Sequence, residues 1–425
     1  MKIRLIVRLV ACGLMGAWLL PAHAVGERLP GSDLAGLLEY AREHNPELAA
    51  SHFEAEAARQ RVQPAGALPD PVLRAELMDI TNQGTNKAAS LLPSQVGSTR
   101  YLAMQSVPFW GKRDLKREMA EAEAMQAQGR ASLTWAELSA KIKTGFTQYY
   151  LVTRSEKLTQ EIFELLTRLE GIAQSRYATG LAAQQDVIRA QVEQTGLRRD
   201  LVMLETDHHH AMSRLNTLLQ RAPGAPLDEP QRLRPLPPPG KLEIAALEDR
   251  LRMKNPQLFT MDAQVTAAEK NRSLALKDRY PDFVFGVSPT QMGGQIREWG
   301  LMVELNIPLQ QQTRRARERE TDTLLAAARA RKDAALNQLL GDLSESVAAF
   351  DAARRIETLN ATSLLPQAEA TFQAALVGYQ NGKVDFATLL DAQRQIFKAR
   401  LDVLNAQAEA QNRLAEIEKL LGEDI

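Results

Sequence analysis

Leu251-Arg252-Met253-Lys254-Asn255-Pro256-Gln257-Leu258 repeats, in kind and order, Ala41-Arg42-Glu43-His44-Asn45-Pro46-Glu47-Leu48. In each, an asparagine stands directly before a proline, the pair expected of a helix N-cap followed by proline at the first helical position, where its missing N–H is no loss. The two helices they open run out alike, near Ala67-Leu68-Pro69-Asp70-Pro71-Val72 and near Arg279-Tyr280-Pro281-Asp282-Phe283-Val284. Further on, Gln105-Ser106-Val107-Pro108-Phe109 is answered by Leu305-Asn306-Ile307-Pro308-Leu309, and Tyr177-Ala178-Thr179-Gly180 by Tyr379-Gln380-Asn381-Gly382. Matched landmarks in one order mark an internal duplication. Residues 221–240 hold seven prolines and no helical period, so they read as a connector. The chain divides into residues 25–220, a first repeat, and 241–425, a second. Each reads as a helix, two short strands, a very long helix, a hairpin turn and another long helix.

The strands are read from alternation. Leu301, Val303, Leu305 and Ile307 are apolar with Met302, Glu304 and Asn306 between them; Phe283, Phe285 and Val287 alternate with Val284, Gly286 and Ser288, and Leu73, Ala75 and Leu77 with Arg74, Glu76 and Met78. One oily and one mostly wet face is the pattern of a membrane-barrel strand, with a small soluble hairpin as the plainer alternative. Four strands are too few to close a membrane barrel, for which about eight is the smallest number known, so several copies must contribute and a homo-oligomer is expected.

Residues 111–177 contain no proline and would form a rod roughly 100 Å long at about 1.5 Å per residue. Ala, Gln, Leu, Glu and Arg dominate such stretches and aromatics make up 5% of the chain, the usage of long helices. Apolar residues recur at three, four and seven residues in Leu389, Ile396, Phe397, Leu401 and Leu404, and again in Leu414, Ile417 and Leu421, a narrow seam suited to a coiled-coil-like wall.

Residues 1–24 read as a secretory signal: Lys2, Arg4 and Arg8, then an apolar run over 9–20, then Ala22-His23-Ala24. Leu9-Val10-Ala11-Cys12 also resembles a lipoprotein signal, but Arg8 leaves it a short apolar run, which favours cleavage after Ala24. Cys12 is the only cysteine, so the mature chain would have neither a disulfide nor a thiolate metal site. Beyond residue 24 no run of about 18 apolar residues suggests a transmembrane helix. With 52 basic and 52 acidic residues, the chain has no basic footprint for nucleic acid.

With the signal, the duplication, the strand pairs and the Tyr-x-x-Gly turns in hand, the sequence resembles the TolC-like outer-membrane efflux family over essentially the whole mature chain. The best local matches are Thr179-Gly180-Leu181-Ala182-Ala183-Gln184-Gln185-Asp186-Val187 and Gly382-Lys383-Val384-Asp385-Phe386-Ala387-Thr388-Leu389-Leu390-Asp391-Ala392, which look like the family's two periplasmic hairpin tips. The resemblance implies a mainly α fold. Duplicated long helical hairpins would form a periplasmic α-barrel, and the four strands of each copy in a homotrimer would close a 12-stranded transmembrane β-barrel in outer-membrane lipid. It implies docking by the tips, through Tyr177, Gly180, Leu181, Tyr379, Gly382 and Lys383, onto a periplasmic adaptor (membrane fusion) protein. That adaptor joins an inner-membrane efflux pump of the proton-driven resistance-nodulation-division type. Tyr177 and Tyr379 read either as exposed aromatic anchors or as hairpin packing. Asp391 matches an acidic position that narrows the tunnel mouth, while a second such position falls on Thr388 and puts a double acidic ring in doubt.

Other candidates for chemistry carry less. His208, His209 and His210 point about 100° apart on a helix and cannot converge on one ion unaided, and the methionines show no ligand spacing. No phosphate loop, nucleophile elbow or His-Glu-x-x-His occurs, so no enzyme and no cofactor is expected. Chain length, the Trp110-Gly111-Lys112-Arg113 turn and neutral charge lie closer to the heavy-metal branch of the family, with a drug or small-molecule duct as the alternative. A periplasmic coiled-coil adaptor is the rival class, but one hairpin, not two, would be expected there.

Overall fold

A computed structural model describes residues 31–81 and 89–425. The predicted signal segment and Cys12 lie outside the described residues. Helix α1 (Leu34–His44) is followed after one residue by α2 (Pro46–Gln60), then by a short α3 (Val62–Gly66). Strands β1 (Val72–Met78) and β2 (Ser98–Val107) lead into α4 (Lys112–Ala178) and α5 (Gln184–Leu218). The second half repeats this with α6 (Ile244–Lys254), α7 (Pro256–Lys277), β3 (Phe283–Met292), β4 (Gln295–Leu305), α8 (Gln311–Leu359), α9 (Leu365–Gln380) and α10 (Phe386–Leu421).

The Asn-Pro pairs do more than start helices. Asn45 Oδ1 accepts from the Glu47 and Leu48 amides at 2.9 and 3.2 Å, and its amide group donates to the Leu218 carbonyl at 3.1 Å. Asn255 accepts from the Leu258 amide at 2.8 Å and donates to the Leu420 carbonyl at 2.7 Å. Each buried asparagine thus satisfies the orphan amides at one helix start and an orphan carbonyl at the end of its own repeat's last helix. The opening helix expected after each Asn-Pro pair is α2 or α7, and a further helix, α1 or α6, runs up to the cap before it.

α4 is one unbroken rod of 67 residues, about 100 Å long. Its counterpart is not. The second very long helix expected from sequence is interrupted by a π-helical turn at Asn360–Leu364, just before Pro366 in the first turn of α9. Proline has no N–H for the i−4 carbonyl and its ring crowds that carbonyl, so a wider turn lets the helix pass it.

The four strands form one antiparallel sheet in chain order, β2 pairing with β3 across the two halves. β3 and β4 are joined by Gly293-Gly294, both at positive φ, as a two-residue hairpin turn demands. Residues in register share a face, so Leu73, Ala103, Val287 and Leu301 form one row, and Phe285 and Val303 lie with them. This face is oily and bare: Leu73 is 81% exposed, Trp299 72% and Leu301 83%. The other face carries Arg74, Glu76, Arg100 and Glu304, with Arg74 and Arg100 both within ion-pair reach of Glu76. The predicted alternation holds, except that β4 stops at Leu305 and leaves Ile307 outside it.

Around the helices, α2–α4–α7–α8 pack in that order beside the sheet, and α5–α4–α10–α8/α9 toward the far end. The heptad-like seam is the core of this wall: Leu389, Phe397, Leu401 and Leu404 join one apolar cluster, and Leu414, Ile417 and Leu421 another. The two halves and the connector meet at buried charge. Lys143 of α4 and Glu418 of α10, 3% and 2% exposed, pair at 2.8 Å, and Arg234 of the connector reaches the same carboxylate at 2.8 Å. Asp424 also bonds Lys143, and the Ile425 amide donates to Glu418 at 3.1 Å.

Candidate functional site

The far ends of the two hairpins lie side by side and are built alike. The Leu181 amide donates to the Arg176 carbonyl and the Gly180 amide to that of Tyr177, at 2.8 and 2.9 Å; the Lys383 amide donates to the Gly378 carbonyl and the Gly382 amide to that of Tyr379, at 2.8 and 3.0 Å. These paired bonds end a helix on a left-handed residue, and Gly180 and Gly382 hold φ of 75° and 71°, which a Cβ would strain. Leu181, Gly180, Gly382 and Lys383 are exposed at the extremity.

The two tyrosines part company. Tyr177 is 46% exposed and fits an anchor for a partner, whereas Tyr379 is only 3% exposed. Its ring lies 5.2 Å from that of Phe386, with the Arg176 guanidinium 5.0 Å above it. The packing alternative is the one that applies to Tyr379, because α9 turns this residue inward onto α10. Burial raises the Tyr379 phenol, as does the nearby Asp186 carboxylate.

Arg176 ties the tips together. Its guanidinium donates across the hairpins to the Gln380 carbonyl at 2.6 Å and, within its own turn, to that of Leu181 at 3.4 Å. Close by, burial pushes the Asp186 carboxyl above the usual aspartate range. Asp385 moves the other way: the Thr388 hydroxyl, at 2.6 Å, and the Thr388 amide, at 2.9 Å, favour its charged form and cap α10. Thr388 is therefore occupied as the partner of that cap.

Asp391 lies one turn further on and is exposed, 3.4 Å from Arg394. Arg394 in turn forks Glu193 of α5 at 3.0 and 2.6 Å, joining the second hairpin to the first. These charges rim a groove of about 290 Å³ floored by Ile188, Val192, Ala387 and Leu390. Asp391 thus sits beside a cation and not alone. Asp186 and Asp385 stand in the two tip stretches that carry the family resemblance, though with no role assigned there; Arg176, Glu193 and Arg394 lie outside them and carry no sequence signal beyond the adjacency of Arg176 to Tyr177.

Elsewhere, His208 packs against the Tyr149 ring at 5.1 Å, and among the described residues no group of three or more His, Cys, Asp or Glu is placed to hold a metal ion. Nor is any described helix long and apolar enough to cross a membrane.

The sequence profile of the family described as "Outer membrane efflux protein" matches residues 37–220 and again residues 247–423. The chain is similar to the cobalt-zinc-cadmium resistance protein CzcC of Cupriavidus metallidurans, 24% identical over 438 residues that cover 96% of this chain and 98% of that protein. Among solved structures it resembles the outer-membrane channel OprN, with a TM-score of 0.76 at 19% identity over 93% of each chain. It also resembles the outer membrane protein VceC of Vibrio cholerae, with a TM-score of 0.76 at 16% identity over 92% of this chain and 96% of that one.

Proposed function

The chain belongs to the outer membrane efflux protein family, and from that premise we propose that three copies of it enclose one passive duct. The duct takes cargo from a periplasmic adaptor and an inner-membrane pump of the proton-driven resistance-nodulation-division type, and releases it outside the cell. The protein is an outer-membrane protein with a large periplasmic portion. Strands of ten and eleven residues, β3 and β4, are about 33 to 36 Å long and, tilted about 40°, span the apolar band of roughly 25 Å that an outer membrane presents.

The observation that carries the reading is the pair of open edges. β1 and β4 each lack a partner on one side among the described strands, and an unpaired strand edge cannot face hydrocarbon. The helical wall has edges on the same two sides, α5 on one and α8/α9 on the other, and both expose apolar side chains. Val202 and Met203 lie eighteen and nineteen residues into α5, about 27 to 29 Å from the tip; Leu364 and Leu359 lie sixteen and twenty-one residues before Gln380, about 24 to 32 Å from it. Ile188 and Val377 match in the same way near the extremity. A head-to-tail ring that joins β4 to β1 and α8/α9 to α5 covers both edges at once.

In this arrangement the tips, with Tyr177, Gly180, Leu181, Gly382 and Lys383 exposed, meet the adaptor, and Asp391 repeats around the mouth of the tunnel. The cargo we assign is heavy-metal cations, supported by the full-length similarity to a cobalt-zinc-cadmium resistance protein. The test is mass measurement of the detergent-solubilised protein together with zinc, cobalt and cadmium tolerance of a strain lacking the gene. A trimer and lost metal tolerance are expected; a stable monomer refutes the duct, and unchanged metal tolerance refutes the cargo.

A further inference from the structure

The sheet ends toward the helices in a belt of exposed apolar groups, Trp110, Tyr280, Ile307 and Leu309. Phe109 stacks on Tyr280 at 4.4 Å and Trp110 meets Phe283 edge-on at 5.6 Å, which places Trp110 with the oily face of the sheet. Rings at this level are what a membrane–water boundary selects. Directly beyond the belt the chain turns basic. The first turns of α4 carry Lys112, Arg113, Lys116 and Arg117 against Asp114 and Glu118, and those of α8 carry Arg314, Arg315, Arg317 and Arg319 against Glu318 and Glu320. The segment between α7 and β3 is balanced, Lys277 and Arg279 against Asp278 and Asp282.

The acids here are largely spent on neighbours. Lys112 holds Asp282 at 2.9 Å and Asp278 at 3.5 Å, and Arg279 holds Glu318. Lys116, Arg315 and Arg319 are exposed and form no ion pair among the described residues, with Asp282 and Glu318 the acids that feel Lys116 and Arg315 at longer range. Among the described residues the opposite end of the sheet shows no such excess: beside its turn Arg297 is matched by Glu298.

We propose that this one-sided collar of cations seats on the phosphate headgroups of anionic phospholipids in the periplasmic leaflet. The inference rests on reading the four strands as the membrane segment, which places the collar on the periplasmic side. A headgroup layer is about 5 to 8 Å deep, and residues 113–117 lie within about 8 Å of the start of α4, so Lys116 falls at headgroup depth, as does Arg315, about 6 Å into α8, with Arg319 just beyond. Trp110 then sits at the edge of the hydrocarbon, with the collar one step further out. The occupant is a lipid and not a soluble anion because the charge is continuous with an apolar, aromatic belt that only a membrane covers.

The test uses the full protein with Trp299→Phe, reconstituted in bilayers, with Trp110 fluorescence quenched by brominated phosphatidylglycerol or by brominated phosphatidylcholine of the same chains. Trp135 lies about 35 Å along α4, beyond the reach of the quencher. Phosphatidylglycerol should be favoured by at least about fivefold, the gain expected for a single cation near the surface, less so as salt rises. Lys116→Gln, Arg315→Gln and Arg319→Gln together should bring the two lipids to near parity while channel conductance in planar bilayers persists. Equal quenching in the parent, or a preference untouched by the triple variant, overturns the proposal. So does a preference abolished by inorganic phosphate exchanged for chloride at fixed ionic strength, which would mark a free-anion site. A triple variant that alters ion selectivity but not lipid preference would place the cations in the lumen and overturn it as well. Loss of conductance in the parent would instead count against the duct.

Discussion

Lys143→Met is the perturbation whose outcome the structure fixes most tightly. At 2.8 Å, Lys143 and Glu418 attract by about 6 kcal/mol at an effective dielectric constant of about 20, and burying both ions cancels much of that. The intact pair therefore contributes little net stability, but removing one partner strands the other, at a cost of about 3 to 5 kcal/mol. Glu418 keeps Arg234 and the Ile425 amide, so the lower figure applies. About 3 kcal/mol corresponds to a fall of about 3 °C in the melting temperature of a chain this long. Lys143→Met with Glu418→Leu leaves no buried carboxylate, and Arg234, partly exposed, can turn to solvent; this double variant should melt within about 1 °C of the parent. The assay is the thermal loss of helical circular dichroism in detergent at one fixed scan rate, with tryptic cleavage of the connector after Arg232, the Arg234–Pro235 bond being resistant to trypsin, as a local readout. Enhanced cleavage is expected in Lys143→Met. A double variant no more stable than the single would refute the reasoning, since stranded charge would then not be what the single substitution costs.

Gly180→Pro or Gly382→Pro should abolish export while trimers still assemble, because φ is fixed near −65° in proline and both glycines hold positive φ at the tips; metal tolerance and native gels read the two effects apart. Asp391→Asn should reduce cation preference in planar bilayers, Arg394→Gln should increase it by unmasking that carboxylate, and Asp402→Asn, eleven residues further along α10 and about 16 Å away, should do neither; equal selectivity in all three removes Asp391 from the mouth. Lys254 and Arg250 hold the Glu423 carboxyl below the usual glutamate range. Its stabilising share is therefore complete above the ordinary glutamate value and lost as pH falls through the depressed one, so Glu423→Gln should lower the melting temperature at neutral pH and flatten its fall in acid; an acid limb of unchanged steepness would falsify this.

Much of the architecture was legible because it is periodic or local. Strand faces follow from alternation in two, the wall from recurrence in three and four, helix starts from Asn45-Pro46 and Asn255-Pro256, and the tip turns from glycines at matched places in the two halves. Each depends on residues within a turn or two of one another, and a duplicated chain states each twice. Only the tertiary structure decided the rest. Lys143 and Glu418 are 275 residues apart, Arg176 and Gln380 204, and Arg394 and Glu193 201, separations that leave no periodic trace. Tyr177 and Tyr379 occupy equivalent places in the repeat, yet one is bare and the other buried, because only the second is turned inward beneath Arg176 onto Phe386. The break before Pro366 has a visible cause in the sequence, but whether a helix stops or passes through a π-turn depends on whether its neighbours hold both segments in line. Here α10 packs against both sides of the break.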